Sequence, residues 1–226
     1  MSDTGPALLF TGKAEPSEAR RSSGRGRPTR EQSDQRHREL LDGALDLFLE
    51  RGFDGTSIEA IVDSLGMARR TVYARYGDKL TLFKAALQRA IDGLVISDAT
   101  LRRIETDNLE ETLLNITRGI LAAMRTPEGL RLTRIANAEV FTKPEIGAYL
   151  WEKTSGVTLI YLTDLFERRL EPKGASDAAL AFYQLMIDGA FRTWLWLRPS
   201  DEEIDRQIVY RIRLFMAGVG RPVSGT

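Results

Sequence analysis

From residue 34 onward the apolar residues recur at spacings of three and four, the period of an α-helix. No stretch alternates apolar and polar residues as a half-buried strand does, and no segment repeats another. The pattern restricts the chain to an all-α fold. Gly and Pro punctuate it. "SDQRHRELLDGALDLFLER" carries Leu41, Ala44, Leu45 and Phe48 on one stripe and stops at Gly52. "DGTSIEAIVDSLG" offers Thr56 as an N-cap with Glu59 three residues on, and its buried face is Ile58, Ile61, Val62 and Leu65. A short third helix is predicted over 68–76 and a long fourth from about residue 78. Five further helical segments follow, bounded by Pro127, Pro144, Pro172 and Pro199, for roughly nine helices in all.

The 226 residues suffice for one large domain or two small ones. Lys+Arg and Asp+Glu both number 32, so any electrostatic partner must be recognised by local clusters rather than by net charge. There is no cysteine, which removes disulfides, thiolate nucleophiles and cysteine-held zinc. His37 is the single histidine and is expected to face solvent on the first helix; alone it cannot build a metal site. The pairs Glu110–Glu111 and Glu202–Glu203 lie in first turns of helices, where the helix dipole accounts for them better than acid–base chemistry does. No enzyme activity, cofactor or metal is expected. The first twenty residues lack the pattern of a signal peptide, and no apolar run approaches the roughly 20 residues of a membrane span. A cytoplasmic chain without membrane association is the expectation.

Residues 57–76 form two short helices joined by a tight turn at Gly66. In a helix-turn-helix the second helix enters the major groove and must present polar and basic groups outward. Arg69, Arg70, Thr71, Tyr73, Ala74 and Arg75 include such a set, with Val72 and Tyr76 turned to the core. Arginine binds guanine bidentately, and Thr and Tyr donate to phosphate. The run "LLDGALDLFLERGFDGTSIEAIVDSLGMARRTVYARYGDKLTLFKAAL", from Leu40 to Leu87, resembles the DNA-binding domain of TetR-family transcriptional regulators. Its Thr-Ser-Ile, Gly66, Thr71-Val72-Tyr73, Tyr76, Lys79 and Leu82-Phe83 carry the resemblance without gaps. The resemblance implies a homodimer on double-stranded palindromic DNA. It places Thr56 and Lys79 on phosphates, and Arg69, Arg70, Thr71, Tyr73 and Arg75 at bases and backbone. Ala68 departs from the family's Ser or Thr and forfeits a helix cap worth about 1 kcal/mol. Leu80 stands where an acid is usual, and Ala74 is smaller than is common there.

The rest of the chain resembles the family's ligand-binding and dimerisation domain, with "RLTRIANAEVFTKPEIGAYLW" similar to AefR-like repressors. Three regions are therefore expected: a disordered basic arm over 1–32, the helix-turn-helix domain over 33–80, and a helical ligand-binding and dimerisation domain over 81–220. Aromatic side chains fill cores and interfaces, and some line apolar ligand cavities. Phe141, Trp151, Phe182, Met186 and Trp194 are the candidates for an effector pocket. Asn137, Glu139 and Asp188 are either polar groups of that pocket or residues exposed or hydrogen-bonded elsewhere. The last two helices are apolar on more than one face, which suits a dimer bundle or burial within one chain. The implied function is a repressor released from its operator by a small apolar or amphipathic effector. Control by a protein partner, or activation, are the alternatives.

"SSGRGRPTR" precedes the first helix. "GRGRP" resembles an AT-hook core, an extended segment that fits a narrow A·T minor groove. Beside a helix-turn-helix, Arg25 and Arg27 are candidates for a DNA-contacting arm; a solvated tail is the alternative.

Overall fold

The computed structural model describes residues 29–139, 142–170 and 174–219. Arg25, Arg27 and Phe141 lie outside them. Among the described residues there are twelve α-helices, one π-helical turn and no strand. In order these are α1 (Arg30–Arg51), α2 (Ile58–Leu65), α3 (Arg69–Tyr76), α4 (Lys79–Asp92), α5 (Asp98–Arg103), α6 (Leu109–Met124) and α7 (Pro127–Glu139). Then come α8 (Pro144–Lys153), α9 (Ser155–Arg169), α10 (Ala175–Phe182), the π turn (Tyr183–Asp188), α11 (Gly189–Leu197) and α12 (Asp201–Val219). No described helix is long and apolar enough to cross a membrane.

Several boundaries differ from the sequence reading, each for a local reason. α1 starts at Arg30, inside the segment read as tail, because Thr29 and Gln32 close a reciprocal capping box. Helix α5 is a short addition capped by Ser97. The segment read as one helix after Pro144 breaks at Thr154 (φ −121°, ψ −83°), where Thr154, Ser155 and Gly156 are three poor helix formers in succession. α2 is capped by Ser57, whose Oγ accepts the Ala60 amide at 3.1 Å, and not by Thr56. Ala68 opens α3 with no side-chain cap, as the sequence implies.

Two apolar cores form. The first holds α1–α4 together and takes in Leu132 and Ile135 of α7 and Ile146 and Leu150 of α8. Phe48, Phe53 and Phe83 meet at its centre with ring centroids 4.4–5.8 Å apart. The second joins α5, α6 and α9–α12 around Phe166, Phe182 and Phe215. Each fully buried Phe contributes about 1.5–3 kcal/mol. Packing therefore does not divide at residue 80: α7 and α8 belong to the helix-turn-helix core at one end and reach the second core's side at the other.

Gly52 sets the entry to α2. Its backbone (φ 73°, ψ 171°) occupies a region open essentially to glycine alone. Gly52→Ala should lower the unfolding free energy by about 1–3 kcal/mol, read as a lower denaturant midpoint. An unchanged midpoint would show that this turn is not held in the strained form.

Candidate DNA-binding surface and apolar cavity

The α2–α3 turn depends on Gly66, left-handed at φ 60° and ψ 37°. It lets α3 cross α2 while Val72 enters the core at 1% exposure. The opposite face of α3 is exposed and carries Arg69, Arg70, Thr71, Tyr73 and Arg75. Those side chains are not equivalent. Arg69 pairs with Asp63 of α2 at 3.1 Å. The Tyr73 hydroxyl donates to Glu59 at 2.7 Å, holding the Glu59 carboxyl below its usual range and raising the phenol. Among the described residues, the Arg70, Thr71 and Arg75 side chains have no hydrogen-bond or ion-pair partner. Arg75 lies beside the Tyr76 ring at 6.0 Å. The surface thus has a self-paired half and an open half.

Thr56 is corrected by the structure. It is 1% exposed, and its hydroxyl donates to the carbonyls of Gly52 and Leu47 at 2.8 and 3.2 Å. Its hydroxyl is spent on fastening the α1–α2 turn. Lys79 is half-buried; its Nζ donates to the Phe53 carbonyl at 2.7 Å and sits 4.4 Å from the Phe53 ring centroid. His37 is likewise not a free surface group. Its ring stacks on Tyr76, and Nδ1 lies 3.0 Å from the Tyr76 hydroxyl, tying α1 to the end of α3. Burial, then Arg75 and Arg89, lower its pKa.

Phe53 is the meeting point of the two halves. Its amide donates to the buried Glu139 carboxylate at the end of α7, at 2.8 Å. Its carbonyl accepts from Lys79 at the start of α4. Its ring lies 4.9 Å from the Lys143 ammonium, which pairs with Asp54 at 2.9 Å. Of the three polar residues left open by the sequence, Glu139 is therefore a core hydrogen-bond acceptor.

The other two, Asn137 and Asp188, line a cavity of about 280 Å³ between the end of α4, α6, α7, the α8–α9 junction and the π turn. Its apolar wall includes Leu94, Val95, Ile96, Ile120, Met124 and Leu132. Ser155, Thr158 and Tyr183 supply hydroxyls, with Ser155 Oγ and the Tyr183 hydroxyl 2.7 Å apart. The aromatic candidates fall elsewhere. Phe182 and Met186 are wholly buried in the second core. Trp151 is 50% exposed and meets Tyr183 edge-on. Trp194 stacks on Phe191 and lies under Arg125 and Arg198 in an outer groove. None of these four lines the cavity. Beyond Phe182 the helix changes phase, because Gly189 donates its amide to Gln184, five residues back.

Two family models match the chain. "Bacterial regulatory proteins, tetR family" covers residues 40–86, and "AefR-like transcriptional repressor, C-terminal domain" covers 111–219. The chain belongs to the TetR family of transcriptional regulators. Membership makes it a regulator and not an enzyme. It is 29% identical over 191 residues to the transcriptional activator FasR of Mycolicibacterium smegmatis, covering 84% of each chain. It is 25% identical to the transcriptional repressor Rv1474c of Mycobacterium tuberculosis, over 68% of this chain and 79% of that one. Among solved structures, the Flavonoid-responsive Regulator FrrA superposes with a TM-score of 0.67 at 22% identity, over 84% of this chain and all of that one. A TetR-family regulator from Mesorhizobium loti superposes at 0.65 and 24% identity, over 84% and 98%. These two likenesses establish the fold of the TetR-family chain: an N-terminal helix-turn-helix domain and a helical C-terminal domain. Among the described residues no cluster of three or more His, Asp or Glu could hold a metal ion.

The His37 contact has a pH signature. The folded chain holds the His37 proton less tightly than the unfolded chain, whose value is near 6.5. Its contribution is thus complete above pH 6.5 and is lost as pH falls from there to the lowered native value. Urea midpoints measured between pH 7.5 and 5.5 should fall for the wild type and fall less for His37→Gln. Equal slopes would remove His37 from the stability of this corner.

Proposed function

We propose that the chain binds a palindromic operator as a homodimer and that a small molecule in the cavity sets the affinity. The observation that carries this reading is the position of Phe53. Helix α7 lines the cavity with Gly129, Leu132, Thr133, Ala136 and Asn137, and two residues later holds the Phe53 amide through Glu139. The segment after α4 lines the cavity with Leu94, Val95 and Ile96, while the start of α4 holds the Phe53 carbonyl through Lys79. A ligand that spreads this wall moves both supports of the α1–α2 turn, from which α2 and α3 follow. It need only bind one arrangement better than the other to shift operator affinity. Helices α4 and α7 together are the lever.

On DNA, Arg70, Thr71 and Arg75 meet the groove directly, whereas Arg69 and Tyr73 must first leave Asp63 and Glu59. Lys79 adds positive charge at the rim, and Arg25 and Arg27 supply the arm. The DNA-binding unit is α1–α3 with the start of α4, and the ligand and dimerisation domain is the helical remainder. The dimer face is the apolar surface of α10–α12. Leu180, Leu185, Trp196, Leu197, Tyr210 and Leu214 are all exposed there, while Ile204, Ile208, Ile212 and Phe215 are consumed in the chain's own core.

Release of a repressor is the first reading; a cavity with an amphipathic wall supports a small-molecule effector over a protein partner. Activation is the second, favoured by the likeness to FasR over 84% of each chain. The same coupling serves both, with opposite sign.

Selection from random duplexes should return a palindrome whose half-sites lie about one helical turn, ~34 Å, apart or a multiple of it. Arg70→Ala and Arg75→Ala should each cost about 1–3 kcal/mol of specific affinity if they read bases, with little change in non-specific binding. A uniform loss assigns them to phosphate. Leu214→Glu should convert the dimer to monomer in sedimentation; an intact dimer would move the interface off α12.

A further inference from the structure

Among the described residues, those lining the cavity include no Lys, Arg or His; their ionisable groups are Tyr183 and Asp188. An anion brought into it loses hydration without gaining a countercharge. Asp188 is paired with the exposed Arg192 at 3.0 Å. Of this half-exposed pair it is the Asp188 carboxylate, and not the Arg192 guanidinium, that lines the cavity.

Thr133 on α7 spends its hydroxyl on the Gly129 carbonyl at 2.9 Å, and the other lining hydroxyls come from residues 154–158 and Tyr183. Thr154 spends its hydroxyl on the Leu150 carbonyl at 2.7 Å. Ser155 and Tyr183 share one hydrogen bond, leaving one O–H donor and free lone pairs for a guest. Burial raises the Tyr183 pKa, so the phenol stays protonated at neutral pH. In an α-helix, residues five apart point about 140° away from one another. The i→i+5 bonding of the π turn brings Tyr183 and Asp188 onto one face, toward the cavity.

We infer that the cavity selects against negative charge and takes a neutral or cationic amphiphile. The apolar body lies against Leu94 and Ile120, and the hydrogen-bonding head meets Tyr183, Ser155 and Asp188. This rests on the reading of the cavity as the effector site.

Calorimetry on the full chain with decanol, decylamine and decanoate holds the tail constant and varies the head. Decanol and decylamine should bind at least about tenfold more tightly than decanoate, a gap of about 1.4 kcal/mol. Asp188→Asn should weaken decylamine and leave decanol unchanged, and Tyr183→Phe should weaken decanol. Thr158→Trp, which fills the cavity, should abolish binding of all three while thermal unfolding reports an intact fold; should it not fold, Ile120→Phe serves instead. Decanoate binding as tightly as decanol, and lost on filling, overturns the charge inference and leaves the cavity reading standing. Absence of binding by every probe, or binding that survives filling, overturns the cavity reading and the inference with it.

Discussion

A buried hydrogen bond ties the helix-turn-helix to the end of α7: the Phe53 amide donates to Glu139, 86 residues away in sequence. Both groups are buried, so neither can exchange its partner for water without opening the packing around it. A hydrogen bond to a carboxylate is stronger than one between neutral groups. Its cost if broken is correspondingly high, because an unpaired buried amide is left behind. Lys79 completes the arrangement from the other side of the same residue. The peptide groups of Phe53 are thereby held by α7 and α4 at once, and the ring is packed between Phe48 and Phe83. The position of the α1–α2 turn, and with it the recognition helix, follows from where those two helices stand.

The cavity is lined both by α7 and by the segment that follows α4. Its amphipathic wall arises from two departures from regular helix: the break at Thr154 and the π turn at Tyr183–Asp188. Each presents polar side chains that an unbroken helix would carry around to another face. Irregular turns of this kind are common at functional sites because they aim side chains at some cost to backbone regularity.

The helix-turn-helix was legible because its signals are local. Periodicity, Gly66 and the uncapped Ala68 depend on neighbours within one turn. The choice between Thr56 and Ser57 was not legible, since both are good caps and only the carbonyls of Leu47 and Gly52 decide which hydroxyl is consumed. His37 was misplaced for the same reason: its partner Tyr76 is 39 residues away. The cavity was the least legible part. Phe182 and Met186 look like pocket residues, but they belong to the second core, and it is Tyr183 and Asp188 at the two ends of the π turn that line the cavity. Pro127 and Pro144 marked α7 and α8 correctly, but nothing in the pattern tied Glu139 to Phe53.

The coupling between cavity and recognition helix is tested most directly by a double-mutant cycle on operator affinity. Thr158→Trp fills the cavity from α9, and Glu139→Ala removes the acceptor for Phe53. Dissociation constants for the selected operator are measured for the wild type, each single variant and the pair. If Glu139 transmits the state of the cavity, filling shifts affinity strongly with Glu139 present and weakly without it, an interaction of about 1 kcal/mol or more. Effects that simply add would contradict the account.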